Sequence, residues 1–426
     1  MYINKVKIIN VKVFEDFEMN FQNKAGWHVI LGDNGTGKST LLKMISLSLL
    51  SQNFRDTINV DFSKWISNED VTTMSSCFLQ VQVDKKNDPS PELLKNEANL
   101  FFAFVFTSIN RPSAYIKPIL ANQGFDLNEG QKIFNYNGWF SAAFGSYRQI
   151  GDKFSNQRGN FSNKKVDAHI TLFRNDFSLI SPVDWLLELK FKQLDSKLDK
   201  SIFDKIISFF NDTDLLPNGV QITKIDSDGI VFTDPSGTEV NLFEMSDGYQ
   251  SVFGMTAEII RQLTKQYGFE KVFSEENLNE QSINLPGVVL IDEVDIHLHP
   301  TWQAKIGNWF KKYFPKIQFI VTTHSPIICR SAENSHIWKL EHPSSDEKSR
   351  MIDEDDFNRL VHGNILDAYG TEIFGTNVTR NESSQEMLEE LARLNMLESI
   401  GKLDPKDKKR LSTLQKTFST DDNFEF

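Results

Sequence analysis

At 426 residues, with 39% hydrophobic and 24% charged content, the chain can bury a large core of about one to three domains, which excludes a disordered or fibrous protein. A net charge of −12 weighs against a surface that tracks nucleic acid throughout, because neutralising phosphates needs concentrated Lys and Arg, although a local basic face in an assembly stays possible. Two cysteines, Cys77 and Cys329, exclude a disulfide framework or a Cys-rich metal site and read as small buried apolar residues. No apolar run approaches the roughly 20 residues of a membrane helix. The start alternates like a strand and has no signal-peptide pattern, so a cytoplasmic protein without a membrane partner is expected.

The first thirty residues predict three strands, "KVKIINVKVF", "FEMNFQ" and "WHVILG". After Gly32 the pattern switches to a helix, "KSTLLKMISLSLL". The stretch from Ser51 to Leu215 is mixed, with a strand-like "CFLQVQV", a helix-like "NLFFAFVFTSI" and a polar loop "GDKFSNQRGNFSNKK". Apolar recurrence predicts amphipathic helices at "PVDWLLELKFKQLD" and "SIFDKIISFFND". The alternation and the Asp-Gly and Ser-Gly turns of "GVQITKIDSDGIVFTDPSGTEVNLFEM" predict a hairpin or meander. Two apolar runs, "GVVLIDEVD" and "IQFIVTTHSP", lack polar alternation and predict parallel strands covered on both faces. The 35 phenylalanines fall mostly in periodic segments and are assigned to the core.

Chemistry starts at "ILGDNGTGKST". Gly32, Gly37, Lys38 and Ser39 fit the phosphate-loop pattern, and the required strand and helix flank it. Gly35 and Gly37 let successive amides point at phosphate oxygens, and the helix from Lys38 adds its positive end. Lys38 is a point charge for the outer phosphates and Ser39 a magnesium ligand. Gly32, Asn34, Gly35, Thr36, Gly37, Lys38, Ser39 and Thr40 are therefore the phosphate-binding candidates. In "VVLIDEVDIHLHP" the acids Asp292 and Glu293 end an apolar strand. Asp292 is expected to hold Mg2+, and Glu293 to polarise water as general base. His297 and His299 have a spacing that could bind zinc, but a loop and helix-start role is favoured, and Asp295 is a candidate for a contact across a subunit interface. His324 ends the next strand and can hydrogen-bond the outer phosphate or the attacking water.

A helix begins at "EMSDGYQSVFGMTAEIIRQL". Ser246 suits an N-cap, but capping does not explain Gly248. With the phosphate loop, acid pair and strand-end histidine in that order, the chain resembles ATP-binding-cassette (ABC) ATPases of the branch containing Rad50, SMC and RecF proteins. In that family two heads sandwich ATP, and a signature helix of one contacts the outer phosphate held by the other. "MSDGYQS" is similar to that signature, with Ser246 and Gly248 in the key places. It departs from the common form, which has a second glycine where this chain carries Tyr249 and Gln250. The family's glutamine near magnesium corresponds to Gln149 of "FGSYRQIGDKF", with Arg148 beside it. The wider layout, through "GNILDAYGTEIFGTNVTR", resembles the small RecF-like ATPases of phage-defence operons, such as the ATPase subunit of Septu, a type also found with some retrons.

The resemblance implies an α/β fold, an ABC-ATPase head with a mixed β core sheet flanked by helices, a helical insertion and a helical C-terminal tail. The expected segments are residues 1–150 (first head part), 151–216 (insertion), 217–343 (second head part) and 344–426 (tail). It implies ATP and Mg2+ as cofactors and a head-to-head dimer or higher oligomer. A separately encoded HNH-type nuclease is the implied partner, with nucleic acid reached through the complex. No nuclease constellation is visible: "DEDD" at Asp353–Asp356 reads as a solvated run or helix start. Nor does the middle of the chain hold the long heptad run of Rad50 and SMC proteins. The tail's "SSQEMLEELARLNMLESI" and "DPKDKKRLSTLQKTF" are expected helices that dock on a partner or pack on the head. An ATP-stabilised scaffold with little turnover and a RecF-like DNA-repair ATPase are the alternatives.

Overall fold

The protein is described from a computed structural model covering residues 1–22, 24–50, 62–67, 75–84, 86–88, 99–106, 139–148, 150, 167–177, 179, 182–216, 219–226, 229–363, 382–399 and 403–417. Gln149, the polar loop at 151–165 and the segment 364–380 lie outside the described residues. The chain divides into two units, Met1–Val361 and His362–Phe426.

In the first unit, β1 (Tyr2–Val11) pairs antiparallel with β2 (Phe14–Asn20) and with β4 (Ser75–Gln82), and β4 pairs with β5 (Asn99–Phe106). β5 corrects the helical expectation for "NLFFAFVFTSI": it runs in register against β4, from Ser75 opposite Phe106 to Gln82 opposite Asn99. An unbroken apolar run carries no period that separates strand from helix, and its aromatic richness favours the strand.

The second sheet holds the order β15-β14-β3-β13-β12-β6, with β3 (Gly26–Gly32), β6 (Ser141–Phe144), β12 (Gly287–Ile291), β13 (Ile317–Thr323), β14 (Ile337–Leu340) and β15 (Arg350–Met351). All its pairings are parallel except β14 with β15. Every residue of β12 and β13 is buried, as the lack of polar alternation predicted. Helix α1 (Lys38–Leu49) lies between the sheets. Its Leu41, Leu42, Ile45 and Leu49 share one core with Ile3, Ile8 and Leu79 of the antiparallel sheet and with Leu290, Ile320 and Leu340 of the parallel one.

The expected helices are α2 (Pro182–Leu194) and α3 (Lys200–Asp212), and the expected meander is β7 (Gln221–Asp226), β8 (Gly229–Thr233) and β9 (Glu239–Asn241). A long helix α4 (Asp247–Tyr267) follows, then a two-residue ladder of β10 (Leu278–Asn279) and β11 (Ser282–Ile283), and α5 (Pro300–Tyr313) enters β13. Phenylalanines knit these helices together. Phe209 of α3 lies edge-on to Trp309 of α5 at 6.3 Å, and Phe210 meets Phe253 of α4 at 4.7 Å. Cys77 and Cys329 are free and buried. The unit closes with α6 (Glu354–His362), where the Asp353 carboxylate accepts from the Asp356 amide at 2.9 Å, so the "DEDD" run starts a helix. In the second unit, α7 (Glu382–Ser399) and α8 (Pro405–Thr417) pack through Leu394, Leu411 and Leu414, with Arg410 bonded to Glu390 at 2.7 Å. Among the described residues no helix is long and apolar enough to cross a membrane.

One core pair carries a pH signature. His28 of β3 stacks on His336 at 5.4 Å with the rings 14° apart, and its Nε2 is buried with no partner among the described residues. Burial, then the neighbouring His336, pushes the His28 imidazole down to about 3. The unfolded chain therefore binds a proton that the fold excludes, and stability falls as pH drops below the free histidine value of about 6.5. Between pH 7 and pH 5 this costs about 2 kcal/mol from His28 alone. His28→Phe removes that term. Urea unfolding of wild type and variant at both pH values should show their stability difference shift by about that amount in the variant's favour at pH 5.

Candidate functional site

The carboxyl ends of neighbouring parallel strands, where α/β sheets place ligands, bring the predicted residues together. β3 runs into the phosphate loop. Gly35 and Gly37 have φ of 85° and 96°, which a side chain resists. A Cβ on Gly37 would also fall 2.5 Å from Val13 Cγ2, so the loop is glycine for packing as well as for curl. Thr36 Oγ1 donates to the Asp33 carbonyl at 2.9 Å. Lys38 Nζ donates to the carbonyls of Gly32 and Asp33 at 2.7 and 2.8 Å. Burial pushes the Lys38 ammonium down from its ordinary value, opposed by Asp292, Glu293, Asp33 and Asp295. The acid pair thus lies in the electrostatic reach of the loop lysine.

β12 delivers Asp292, which is buried, and Glu293, which is half-buried. Thr322 of β13 ties the two: its hydroxyl donates to Asp292 Oδ1 at 2.6 Å and accepts from the Glu293 amide at 2.7 Å. Glu293 has a φ of 47°, left-handed for a non-glycine residue, and these bonds hold it there. Arg148 supports the same turn. It is buried and donates from Nη1 to the carbonyls of Asp292 (2.6 Å) and Gly145 (3.0 Å), and from Nη2 to the Glu293 carbonyl (2.9 Å). Burial pushes its guanidinium down to about 10, which still leaves it charged at neutral pH. Sequence reasoning missed both supports. Thr322 was legible only as part of "TTHS", and Arg148 only as a neighbour of Gln149.

His324 follows β13 directly, and its Nε2 is buried with no partner among the described residues. A buried ring nitrogen without a partner, a curled glycine loop and a lysine together fit a polyphosphate, and the Ser39 hydroxyl with the Asp292 carboxylate are ligand types suited to Mg2+. His297 is an exposed turn residue with φ 64°, and His299 caps α5, its Nδ1 accepting from the Thr301 amide at 3.4 Å. His299 thus has the helix-start role. Asp295 accepts from the Thr323 hydroxyl within the chain.

Helix α4 begins beside this turn. Ser246 is in the N-cap position, but its hydroxyl makes no capping bond, which corrects the expectation that it caps its own helix. Ser246 and Asp247 are exposed. Gly248 is fixed by close approach: a Cβ there would meet the His297 carbonyl at 2.6 Å. Gln250, at a departure from the family's signature, donates to the Met245 carbonyl at 2.7 Å and braces the incoming chain, while Tyr249 stands edge-on to Trp302 at 5.8 Å.

A phosphate loop, an acid pair and a strand-end histidine converging on one parallel sheet, with an antiparallel sheet across α1, define an ABC-type P-loop ATPase head. The fold is that of the solved SmcHead bound to the C-winged helix domain of ScpA, with a TM-score of 0.50 at 15% identity, covering 83% of this chain and 97% of that one. Residues 1–137 match the family described as "AAA ATPase domain", and residues 125–330 the one described as "AAA domain, putative AbiEii toxin, Type IV TA system". The chain is 25% identical over 355 residues to the Septu protein PtuA of Bacillus mycoides (strain KBAB4), covering 80% of this chain but 40% of that protein. It is 23% identical over 470 residues to the Retron Vc95 probable ATPase of Vibrio cholerae serotype O1 biovar El Tor, covering 97% of this chain and 86% of that one. The Septu protein PtuA of Bacillus thuringiensis is 23% identical, with 80% and 76% covered. The chain thus has the fold of an ABC-type ATPase head and is similar in sequence to the ATPases of the Septu and retron systems.

Proposed function

We propose that this chain is the ATP-binding and ATP-hydrolysing regulatory subunit of a cytoplasmic anti-phage defence complex. Two heads pair around ATP, as a dimer or within a higher oligomer, and the pairing controls a separately encoded HNH-type nuclease that acts on nucleic acid. The observation that carries the reading is the exposed start of α4: a serine in the cap position whose hydroxyl is not spent on its own helix, next to a turn continuous with the acid pair. A free hydroxyl and an open helix end suit a phosphate held by a neighbouring copy. The relatives named Septu PtuA and retron ATPase support the defence role.

In this reading the loop from Gly32 to Thr40 binds the phosphates, with Lys38 on the outer ones. Ser39, Asp292 and Gln149 would hold Mg2+, which supplies charge neutralisation when bound. Glu293 accepts the proton of the attacking water, and His324 Nε2 meets the outer phosphate or that water. Ser246 and Gly248 complete the opposite site. The parts before 151 and from 217 to 343 form the head, 151–216 the insertion and 344–426 the interaction tail.

Sedimentation in Mg-ATP is the test. The wild-type head should shift from single to paired, and Ser246→Arg, which puts bulk on the exposed helix end, should stay single while its own phosphate loop still binds ATP. Co-expression with the adjacent gene should recover an HNH nuclease in the same complex and protect cells from phage. Heads that stay single in ATP at tens of micromolar, with phage protection undiminished by Ser246→Arg, would sink the reading.

A further inference from the structure

The turn from Glu293 to His299 touches the start of α4 at two points, and one of them runs through a single buried side chain. Arg148 Nε donates to Ser251 Oγ of α4 at 3.3 Å, while the same guanidinium holds the carbonyls of Gly145, Asp292 and Glu293. Arg148 and Ser251 are 5% and 4% exposed, so water does not replace these bonds. The second contact is the His297 carbonyl against Gly248. Arg148 donates to three carbonyls and a hydroxyl, so its fixed fork spans the end of β6, the acid pair and α4. A surface arginine placed for solubility, or one paired for charge, would not show that pattern.

We propose that Arg148 is a positioning residue: it fixes the left-handed backbone of Glu293 and locks that turn to α4, so that a shift of the turn on nucleotide binding moves the Ser246–Gly248 end of the same head. The consequence for a neighbouring site rests on the pairing proposed above, but the coupling within one head does not. It makes the occupancy of a head's own phosphate loop legible at the surface it offers to another.

The test compares Arg148→Ala and Ser251→Ala with wild type. Kinetics are read as kcat against KM, and hydrogen exchange is followed at residues 246–254 with and without Mg-ATP. Wild type should gain protection at 246–254 on adding Mg-ATP. Arg148→Ala should lose that gain and show kcat lower by about 30- to 300-fold with KM within about threefold, the split of a residue that acts on the reacting groups and not on binding. Ser251→Ala, which removes one bond and leaves the grip on Glu293, should keep kcat within about threefold and still lose the ATP-dependent protection. Ser251→Ala with the full wild-type protection change, or Arg148→Ala with unchanged kcat, would overturn the proposal, as would a wild type with no protection change. Sedimentation of the same samples reports pairing separately. Heads that stay single in ATP while the protection change persists would support the coupling and count against the dimer.

Discussion

Glu293→Gln is expected to hold ATP and nearly cease to hydrolyse it. The amide keeps the size of the carboxylate and leaves the backbone bonds to Thr322 and Arg148 intact, because those use the Glu293 N–H and C=O. Only the proton acceptor is lost. A general base is worth about 10²- to 10⁴-fold, so single-turnover phosphate release should slow by about 10³-fold. Affinity for a fluorescent ATP analogue should stay within about threefold. The trapped nucleotide should also lengthen the life of the paired state in sedimentation. A variant that hydrolyses within tenfold of wild type would remove Glu293 from the role of base.

Lys38→Ala should fail one step earlier, at binding. The ammonium sits at the loop's mouth, bonded to Gly32 and Asp33 carbonyls. Its charge-assisted bonds to phosphate and its part in holding the loop's curl are lost together. Charge-assisted bonds of this kind contribute about 1.5–3 kcal/mol each, so affinity should drop by at least about 100-fold. Thermal unfolding gives an independent reading. At 100 times its Kd, ATP stabilises wild type by about 2.7 kcal/mol, and that shift should fall to about 0.4 kcal/mol or less in the variant at the same ATP concentration. A variant with an unchanged shift would show that the loop does not bind the phosphates through Lys38. The two variants separate binding from turnover, and so separate a working ATPase from a scaffold that merely holds nucleotide.

The phosphate loop and acid pair were legible because their chemistry is local. "GDNGTGKST" and "LIDE" each fit one stretch of backbone, and the strand, loop and helix around the phosphate loop follow one another without a break from Gly26 to Leu49. The buried strands β12 and β13 were legible from unbroken apolar runs, and β5 was not, since the same kind of run fits either element. Arg148 and Thr322 were hidden for a different reason. Their roles come from contacts across 144 and 29 positions of sequence separation, which no spacing rule reaches. Ser246 was misread because a cap position and a cap bond are separate facts. The sequence fixes the first, while the rotamer decides the second. Gly248 looked like a phosphate contact alone, yet the His297 carbonyl already requires it.

The parallel sheet has a consequence for how the protein is made. Its neighbours β14, β3, β13, β12 and β6 come from residues 337–340, 26–32, 317–323, 287–291 and 141–144, so apart from β12 and β13 the strands adjacent in space are far apart along the chain. During translation β3 emerges early, and both its partners arrive only after some 290 further residues. The candidate site therefore comes together late: its loop lysine, acid pair and histidine lie on strand ends that are all present only once β13 has been made. Until then the apolar residues of β3 lack their strand partners and are open to chaperones or to aggregation, while α1 already has the antiparallel sheet to pack on.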